Sequence, residues 1–310
     1  MGIPGLVVVV GEALVDLVLA PGATTPSAHP GGSPANVALG LGRLGAEVVL
    51  VTRLGHDEYG QLIEKHLRGS GVELAEGSVV DAPTSTALAR LDDLGRATYE
   101  FDIDWRLEGV SVPAGVCLHT GSIAAVLDPG AGSVAALLEE ARATATVSYD
   151  PNARPSLMGA ADVALRRIEA VVDVSDIVKA SDEDLGWLFP GEEVSAVAAR
   201  WLARGPAMVV VTRGELGAYA VATAGEVDHR GDTIEVVDTV GAGDAFSSGL
   251  LDGLRRHGLL GADRREALHA IDQETLAAVV DRAIRVSAWT CTRRGADPPT
   301  ADELDNQPLF

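Results

Sequence analysis

A doubly wound α/β fold, with a mostly parallel sheet covered by helices on both faces and a small β lid, is what three features of the sequence predict. Short β-branched runs such as residues 7–10 and 208–212 read as strands buried on both faces. Segments with apolar residues at helical spacing alternate with such runs, as a parallel sheet with crossover helices requires. The chain has 310 residues, 47% of them hydrophobic and 22% charged, which fits one large α/β domain or two small ones; with no internal repeat or low-complexity linker, a single domain over residues 1–310 is expected.

The elements follow in order. Residues 7–10 are four valines ended by Gly11, residues 15–19 continue extended, and the Pro- and Gly-containing stretch 21–30 reads as a loop. Ser33-Pro34 opens a helix, with Ser33 as N-cap and Pro34 at the first helical position. Val37, Leu41 and Leu44 carry its apolar stripe and Gly45 stops it. Residues 48–52 are the next strand and 58–67 the next helix. Two extended runs, 87–91 and 97–101, flank Asp92-Asp93-Leu94-Gly95 and read as a hairpin that projects from the main sheet. The alternation then resumes. Strands are expected at 116–119, 146–149, 176–179 and 208–212, and helices at 131–143, 160–172, 182–188 and 194–203. Short strands at 218–222 and 234–237 and helices at 243–256 and 273–290 complete the domain, with a Pro-rich, acidic surface tail after Gly295.

Lys and Arg number 24 against 45 Asp and Glu, a formal net charge of −21. Such a surface repels polyanions and argues against a nucleic-acid partner. Cys117 and Cys291 match neither a disulfide framework nor a zinc spacing, and the histidines are scattered, so a reducing, cytoplasmic setting without zinc is expected. The apolar stretch 3–20 has no Lys or Arg ahead of it and is interrupted by Glu12 and Asp16, unlike a signal peptide. No run approaches the roughly 18 apolar residues of a membrane span.

The strongest chemical signal is Asp238-Thr239-Val240-Gly241-Ala242-Gly243-Asp244-Ala245-Phe246. A glycine-rich turn at the start of a helix offers unpaired N–H groups and the positive end of the helix dipole to an anion. Asp244 would sit in that first turn, where a carboxylate beside an anion cradle suits removal of a proton from an attacking hydroxyl. A plain helix start with an acidic first turn is the other reading of the same residues. The chain contains no Gly-Lys-Ser/Thr, so this is not a Walker A loop.

Residues 238–246 resemble the signature of the ribokinase-like sugar kinases, also called the phosphofructokinase-B family. The resemblance implies that Asp244 is the catalytic base and that the backbone of Gly241, Ala242 and Gly243 forms an anion hole for the γ-phosphoryl group of ATP. The family's N-terminal signature is similar to Gly31-Gly32-Ser33-Pro34-Ala35-Asn36-Val37-Ala38, which makes Gly31, Gly32 and Asn36 sugar-binding residues. Gly11-Glu12-Ala13-Leu14-Val15-Asp16 resembles the first strand of fructokinases, which makes Asp16 the substrate anchor; on the residues alone, a strand-end surface residue is the alternative. Asp150-Pro151-Asn152-Ala153-Arg154 resembles another fructokinase segment, in which Arg154 meets substrate or phosphate; a structural ion pair is the alternative. Lys179-Ala180-Ser181-Asp182-Glu183-Asp184 stands where the family organises magnesium through water. Ser181 and Asp184 replace the usual Asn and Glu, and both supply oxygen ligands. Ser181 also reads as a helix cap. By the same resemblance Lys179, Thr212, Gly214, Gly217, Gly241 and Gly243 bind the nucleotide. Residues 292–296 lie near adenine, and Asp238 and Gly295 lie near a site for a monovalent cation such as K+.

The implied activity is ATP- and Mg2+-dependent phosphorylation of a sugar's primary hydroxyl, most like a fructokinase acting on fructose. Kinases for ribose, 2-keto-3-deoxygluconate or a nucleoside are the alternatives, with a silent sugar- or nucleotide-binding regulator as a third. The lid comes from segments of about 13–30 and 84–107, where Tyr99, Phe101 or Trp105 can wall the sugar or simply pack. None of the arginines there aligns clearly with the lid Arg of relatives, which argues against an acidic sugar such as 2-keto-3-deoxygluconate. Lids of this kind imply a homodimer. Residues 40–45 match the dinucleotide pattern G-x-G-x-x-G but end a helix instead of opening one, which argues against a dehydrogenase.

Overall fold

The four valines 7–10 are each at most 1% exposed because a sheet encloses them on both sides and helices cover both faces. The computed structural model describes residues 5–92, 96–231 and 234–306. Its strands are β1 Val7–Val10, β2 Leu14–Leu19, β3 Ser27–Gly31, β4 Val48–Val51, β5 Leu54–Gly55, β6 Val72–Leu74, β7 Val79–Val80, β8 Thr86–Leu91, β9 Ala97–Asp102, β10 Cys117–Gly121, β11 Thr146–Asp150, β12 Ile177–Ser181, β13 Met208–Thr212, β14 Ala218–Ala222 and β15 Gly225–His229. Its helices are α1 Ser33–Arg43, α2 Glu58–Arg68, α3 Gly130–Ala141, α4 Pro155–Met158, α5 Ala161–Val172, α6 Asp182–Leu188, α7 Val194–Leu202, α8 Ala242–Arg256, α9 Arg265–His269, α10 Gln273–Cys291 and α11 Ala301–Asn306.

The main sheet has the order β15-β14-β13-β12-β11-β10-β1-β4-β6. It is parallel from β6 to β13, and β14 and β15 are antiparallel additions at one edge. Val7 lies opposite both Val48 and Cys117, so β1 is central. Side-chain alternation sends Val7 and Val9 into a core with Val37 and Leu41 of α1, Leu250 of α8 and Val279 of α10. Val8 and Val10 enter the opposite core with Leu138 of α3, Ile168 of α5 and Trp201 of α7. The fold class read from the sequence is the one observed.

A second sheet, β3-β2-β8-β9, stands apart from the first. β8 and β9 form the expected antiparallel hairpin, with Thr86 opposite Asp102 and Leu91 opposite Ala97. Its expected turn at 92–95 falls largely on residues 93–95, which lie outside the described residues.

Several expectations are corrected. The stretch 21–30 is not all loop: β3 pairs antiparallel with β2, from Leu14 opposite Gly31 to Val18 opposite Ser27. An outer strand needs one ladder only, so it tolerates Pro30 and lacks an apolar pattern. Residues 234–237 form no strand. Val236 and Val237 are 51% and 54% exposed, and β-branched composition alone does not create a pairing partner. The antiparallel edge is β15 instead. The tail after Gly295 is also not merely surface. Leu304 of α11 is fully buried against Leu44, Ala245 and Val286, and Arg285 Nη2 donates to the Leu304 carbonyl at 2.6 Å. Strands β10, β11 and β12 each run further than expected, to Gly121, Asp150 and Ser181, and these added residues border the site described below. Residues 40–45 lie in the end of α1 and the turn after it, the wrong context for a dinucleotide loop. Among the described residues no helix is long and apolar enough to cross a membrane.

If the tail is part of the core, Leu304→Ala leaves a cavity. It should cost about 2–4 kcal/mol of unfolding free energy, read from urea denaturation; a loss under about 0.5 kcal/mol would return the tail to the surface.

Candidate active site

Helix α8 begins at a residue only glycine suits. Gly241 is its N-cap with φ 75°, and a Cβ there would lie 2.5 Å from the Ala296 Cβ. The Ala242 N–H donates to the Thr239 carbonyl at 3.2 Å, and Ala245 makes the first bond back to Gly241 at 2.8 Å. Gly243 and Asp244 lie between, in the turn whose N–H groups face outward along the helix axis.

Asp244 is 7% exposed and is held from two other parts of the chain. Ser33 Oγ donates to Oδ1 at 2.7 Å and Asn36 Nδ2 to Oδ2 at 2.8 Å. Asn152 Nδ2 reaches Oδ1 at 3.3 Å and Ser33 Oγ at 2.7 Å. Burial raises the Asp244 pKa above its ordinary value; the Ser33 and Asn36 bonds work against this, the Asp150 charge adds to it, and Lys179 opposes it. Ser33 is therefore not the expected N-cap. Gly32 occupies that position, at φ 100° and with no capping side chain, because the Ser33 hydroxyl is committed to a buried carboxylate 211 residues away.

The glycine pair before α1 lies flat against β2 and the segment preceding it. A Cβ on Gly31 would meet Asp16 Oδ2 at 2.2 Å, and one on Gly32 would meet the Glu12 carbonyl at 2.5 Å. Asp16 is exposed to solvent, yet desolvation by the surrounding chain raises its pKa against the pull of His29 and Arg154. In register Asp16 lies opposite Ala87, and Ala87 opposite Phe101, so Phe101 shares the Asp16 face of the small sheet. Phe101 stacks on Tyr99 at 5.9 Å between ring centres. Trp105 belongs to the core: it is 3% exposed and its Nε1 donates to the Ala124 carbonyl at 3.0 Å.

Beyond β11, Asn152 adopts φ 35°; with Ser122 at φ 54° it is one of two non-glycine residues in the left-handed region among the described residues. Arg154 is exposed above it, and its Nη1 donates to the Asn152 Oδ1 at 2.7 Å and carbonyl at 3.1 Å. Lys179 Nζ pairs with Asp150 Oδ2 at 2.9 Å, both side chains at most 6% exposed. Burial opposes the Lys179 charge most strongly, but the Asp150 pair together with the Asp184 and Asp244 charges outweighs it and raises the pKa. Ser247 Oγ donates to the same Asp150 oxygen at 3.1 Å, and a Cβ on Gly243 would lie 3.2 Å from Nζ.

Ser181 and Asp184 form a capping box on α6. Ser181 Oγ accepts from the Asp184 N–H at 3.0 Å, and Asp184 Oδ2 accepts from the Ser181 N–H at 2.8 Å. Asp184 Oδ1 accepts from the Ala153 N–H at 2.7 Å. Thr212 lies opposite Ser181, and Gly214 and Gly217 (φ 81°) shape the turn that follows. The carboxyl ends of β1, β10, β11, β12 and β13 thus line one rim in that order, where an open α/β sheet binds ligands.

The structure joins Asn36 to Asp244 directly and places Gly31, Gly32 and Asp16 together. It places Thr212, Gly214 and Gly217 at the other end of the rim. Ser33, expected as a helix cap, bonds Asp244 instead, and Asp150, for which the sequence suggests no role of its own, pairs with Lys179. Ser247 stands three residues after Asp244, one helical turn on, and that spacing was the available signal.

This rim, with an acidic first turn at a glycine-led helix, defines a phosphotransferase acting on an alcohol. The pfkB family carbohydrate kinase model matches residues 5–303, and the chain belongs to that family. It is 32% identical over 279 residues to a fructokinase of Rhizobium leguminosarum bv. trifolii, covering 86% of this chain and 84% of the relative. A fructokinase of Xylella fastidiosa with bound ATP superposes with a TM-score of 0.84 at 25% identity over 96% of both chains. A fructokinase double mutant from Vibrio cholerae O395, bound to fructose, ADP and potassium, superposes at 0.77 with 27% identity over 94% of this chain and 93% of that one. The protein is an ATP-dependent sugar kinase.

Lys179→Met leaves Asp150 buried without its cation and should destabilise by about 3–5 kcal/mol. Adding Asp150→Asn should recover part of this in a double-mutant cycle; a double-variant loss equal to the sum of the two single-variant losses would show that the pair is not coupled.

Proposed function

We propose that the sugar is fructose and that the product is fructose 6-phosphate. The observation that carries the chemistry is the Asp244 carboxylate in the first turn of α8, bonded on both oxygens by neutral donors. Hydrogen bonds to the anion counter the effect of burial, so the group can be ionised and still be basic enough to take a proton. Asp244 removes the proton from the primary hydroxyl as that oxygen attacks the γ-phosphorus. The α8 N-terminus at Gly241, Ala242 and Gly243 faces the charge growing on the transferred group, with Ala242 contributing backbone shape because its N–H is engaged by Thr239.

Asp16, Gly31, Gly32, Asn36 and Arg154 hold the sugar in this reading. Asn36 serves twice, since its amide already orients Asp244. The small sheet is the lid, with Phe101 and Tyr99 on the Asp16 face as an apolar wall. Lys179, Thr212, Gly214 and Gly217 border the nucleotide.

Mg2+ fits as an ion carried on the nucleotide phosphates. Among the described residues no group of three or more His, Cys, Asp or Glu gathers into a cage, and both Asp184 oxygens already hold N–H groups. That suits an ion held through water near Asp184 and Ser181, where its charge would offset that of the phosphates. A monovalent cation is placed beside Asp238, whose Oδ2 accepts the Gly295 N–H at 2.8 Å. In this reading the enzyme works in the cytoplasm, where a reducing setting suits the free thiols of Cys117 and Cys291. Relatives that are fructokinases support fructose over other acceptors.

Coupled ADP release with a sugar panel tests the acceptor. Fructose should exceed ribose, 2-keto-3-deoxygluconate and nucleosides by at least about tenfold in kcat/KM, equivalent to about 1.4 kcal/mol of transition-state discrimination. A higher value for any of those acceptors would replace fructose.

A further inference from the structure

Glu12 follows β1 at the point where the strand order reverses. β1 lies between β4 and β10, and the crevice beyond Gly11 and Gly121 is the switch point of the sheet. Glu12 is 5% exposed, and its carbonyl backs onto Gly32 at the sugar side of the rim. Its Oε2 is buried with no hydrogen-bond partner among the described residues, while its own N–H and Ser122 act in favour of the anion. Ser122 is also one of the two strained non-glycine positions; the other, Asn152, bonds Asp244. The charged groups acting on Glu12 are Arg154, which favours its anion, and Asp244, which opposes it.

Two buried carboxyl groups whose charges oppose one another do not ionise equally readily, and the proton resides where fewer donors stabilise the anion. Asp244 receives Ser33, Asn36 and Asn152. Glu12 has Ser122 and its own N–H, and one oxygen with nothing. A neutral acid tolerates an orphaned oxygen far better than an anion does. We propose that Glu12 is a positioning residue of the phosphoryl transfer, which as the uncharged acid buttresses the Ser122 turn and leaves Asp244 as the ionised member of the two. Burial pushes Glu12 up to about 8, so it stays neutral at pH 7 and charges just above it. Its ionisation adds a second negative charge that acts against the Asp244 anion and opposes the arriving phosphates. The inference rests on Asp244 being the base of the sugar-kinase reaction.

Glu12→Gln keeps the shape and removes the titration. The parent's kcat/KM should fall about tenfold between pH 7 and 9, following the loss of the neutral form; in E12Q the fall should be under about threefold. The second readout is stability. A carboxyl whose folded pKa is raised stabilises the fold below its unfolded value of 4.5, and that contribution is lost as pH rises to about 8. The thermal midpoint of E12Q minus that of the parent should therefore grow from pH 5 to pH 8. Equal basic limbs in parent and variant, a midpoint difference flat with pH, or a folded E12Q more than a hundredfold less active at pH 7 would each overturn the proposal. The midpoints need no substrate. A parent that turns over no sugar would thus count against the kinase reading and leave Glu12 to be judged on stability alone.

Discussion

A carboxylate buried at the start of a helix is unstable on its own. Removing it from water is costly, and the N-terminal dipole returns at most about 2 kcal/mol. What makes Asp244 tenable is a set of neutral donors from elements far apart in sequence: Ser33 and Asn36 from α1 and Asn152 from the loop after β11. Hydrogen bonds to a charged group contribute about 1.5–3 kcal/mol each, enough to offset much of the burial. Neutral donors also leave the carboxylate a base, which a close ion pair would not.

Much of the remaining architecture serves to bring those donors together. The glycines at 31 and 32 let the start of α1 lie against β2 and the Glu12 backbone, which directs Ser33 and Asn36 at α8. The buried Lys179–Asp150 pair anchors the loop carrying Asn152, because Asp150 Oδ1 also accepts the Asn152 N–H at 3.1 Å. Asp184 ties the same loop to α6 through Ala153. The cation of Lys179 lies close to Gly243, so positive charge reaches the place where phosphate is expected without pairing directly to Asp244.

The main sheet was legible because its strands are buried on both faces and leave continuous valine-rich runs such as 7–10 and 208–212. The site was legible as motifs, since glycine turns and the acidic first turn of α8 have local physical causes. Contacts between motifs were not. Ser33 satisfies every local rule for an N-cap, and only the three-dimensional proximity of Asp244 redirects its hydroxyl. β3 was missed because Ser27–Gly31 pairs through its backbone on an outer strand, and 234–237 was misread because exposed valines imitate a strand. Glu12 lies in the Gly11–Asp16 segment, but its burial and orphaned oxygen arise from packing at the switch point.

The claim at the centre is that the Asp244 carboxylate takes the acceptor's proton and is not needed to hold the nucleotide. Asp244→Asn keeps the shape and removes the base. Measured by ADP release and by ATP titration on the same folded sample, it should lose at least about a hundredfold in kcat while ATP affinity stays within a few-fold. Turnover near that of the parent would contradict the account.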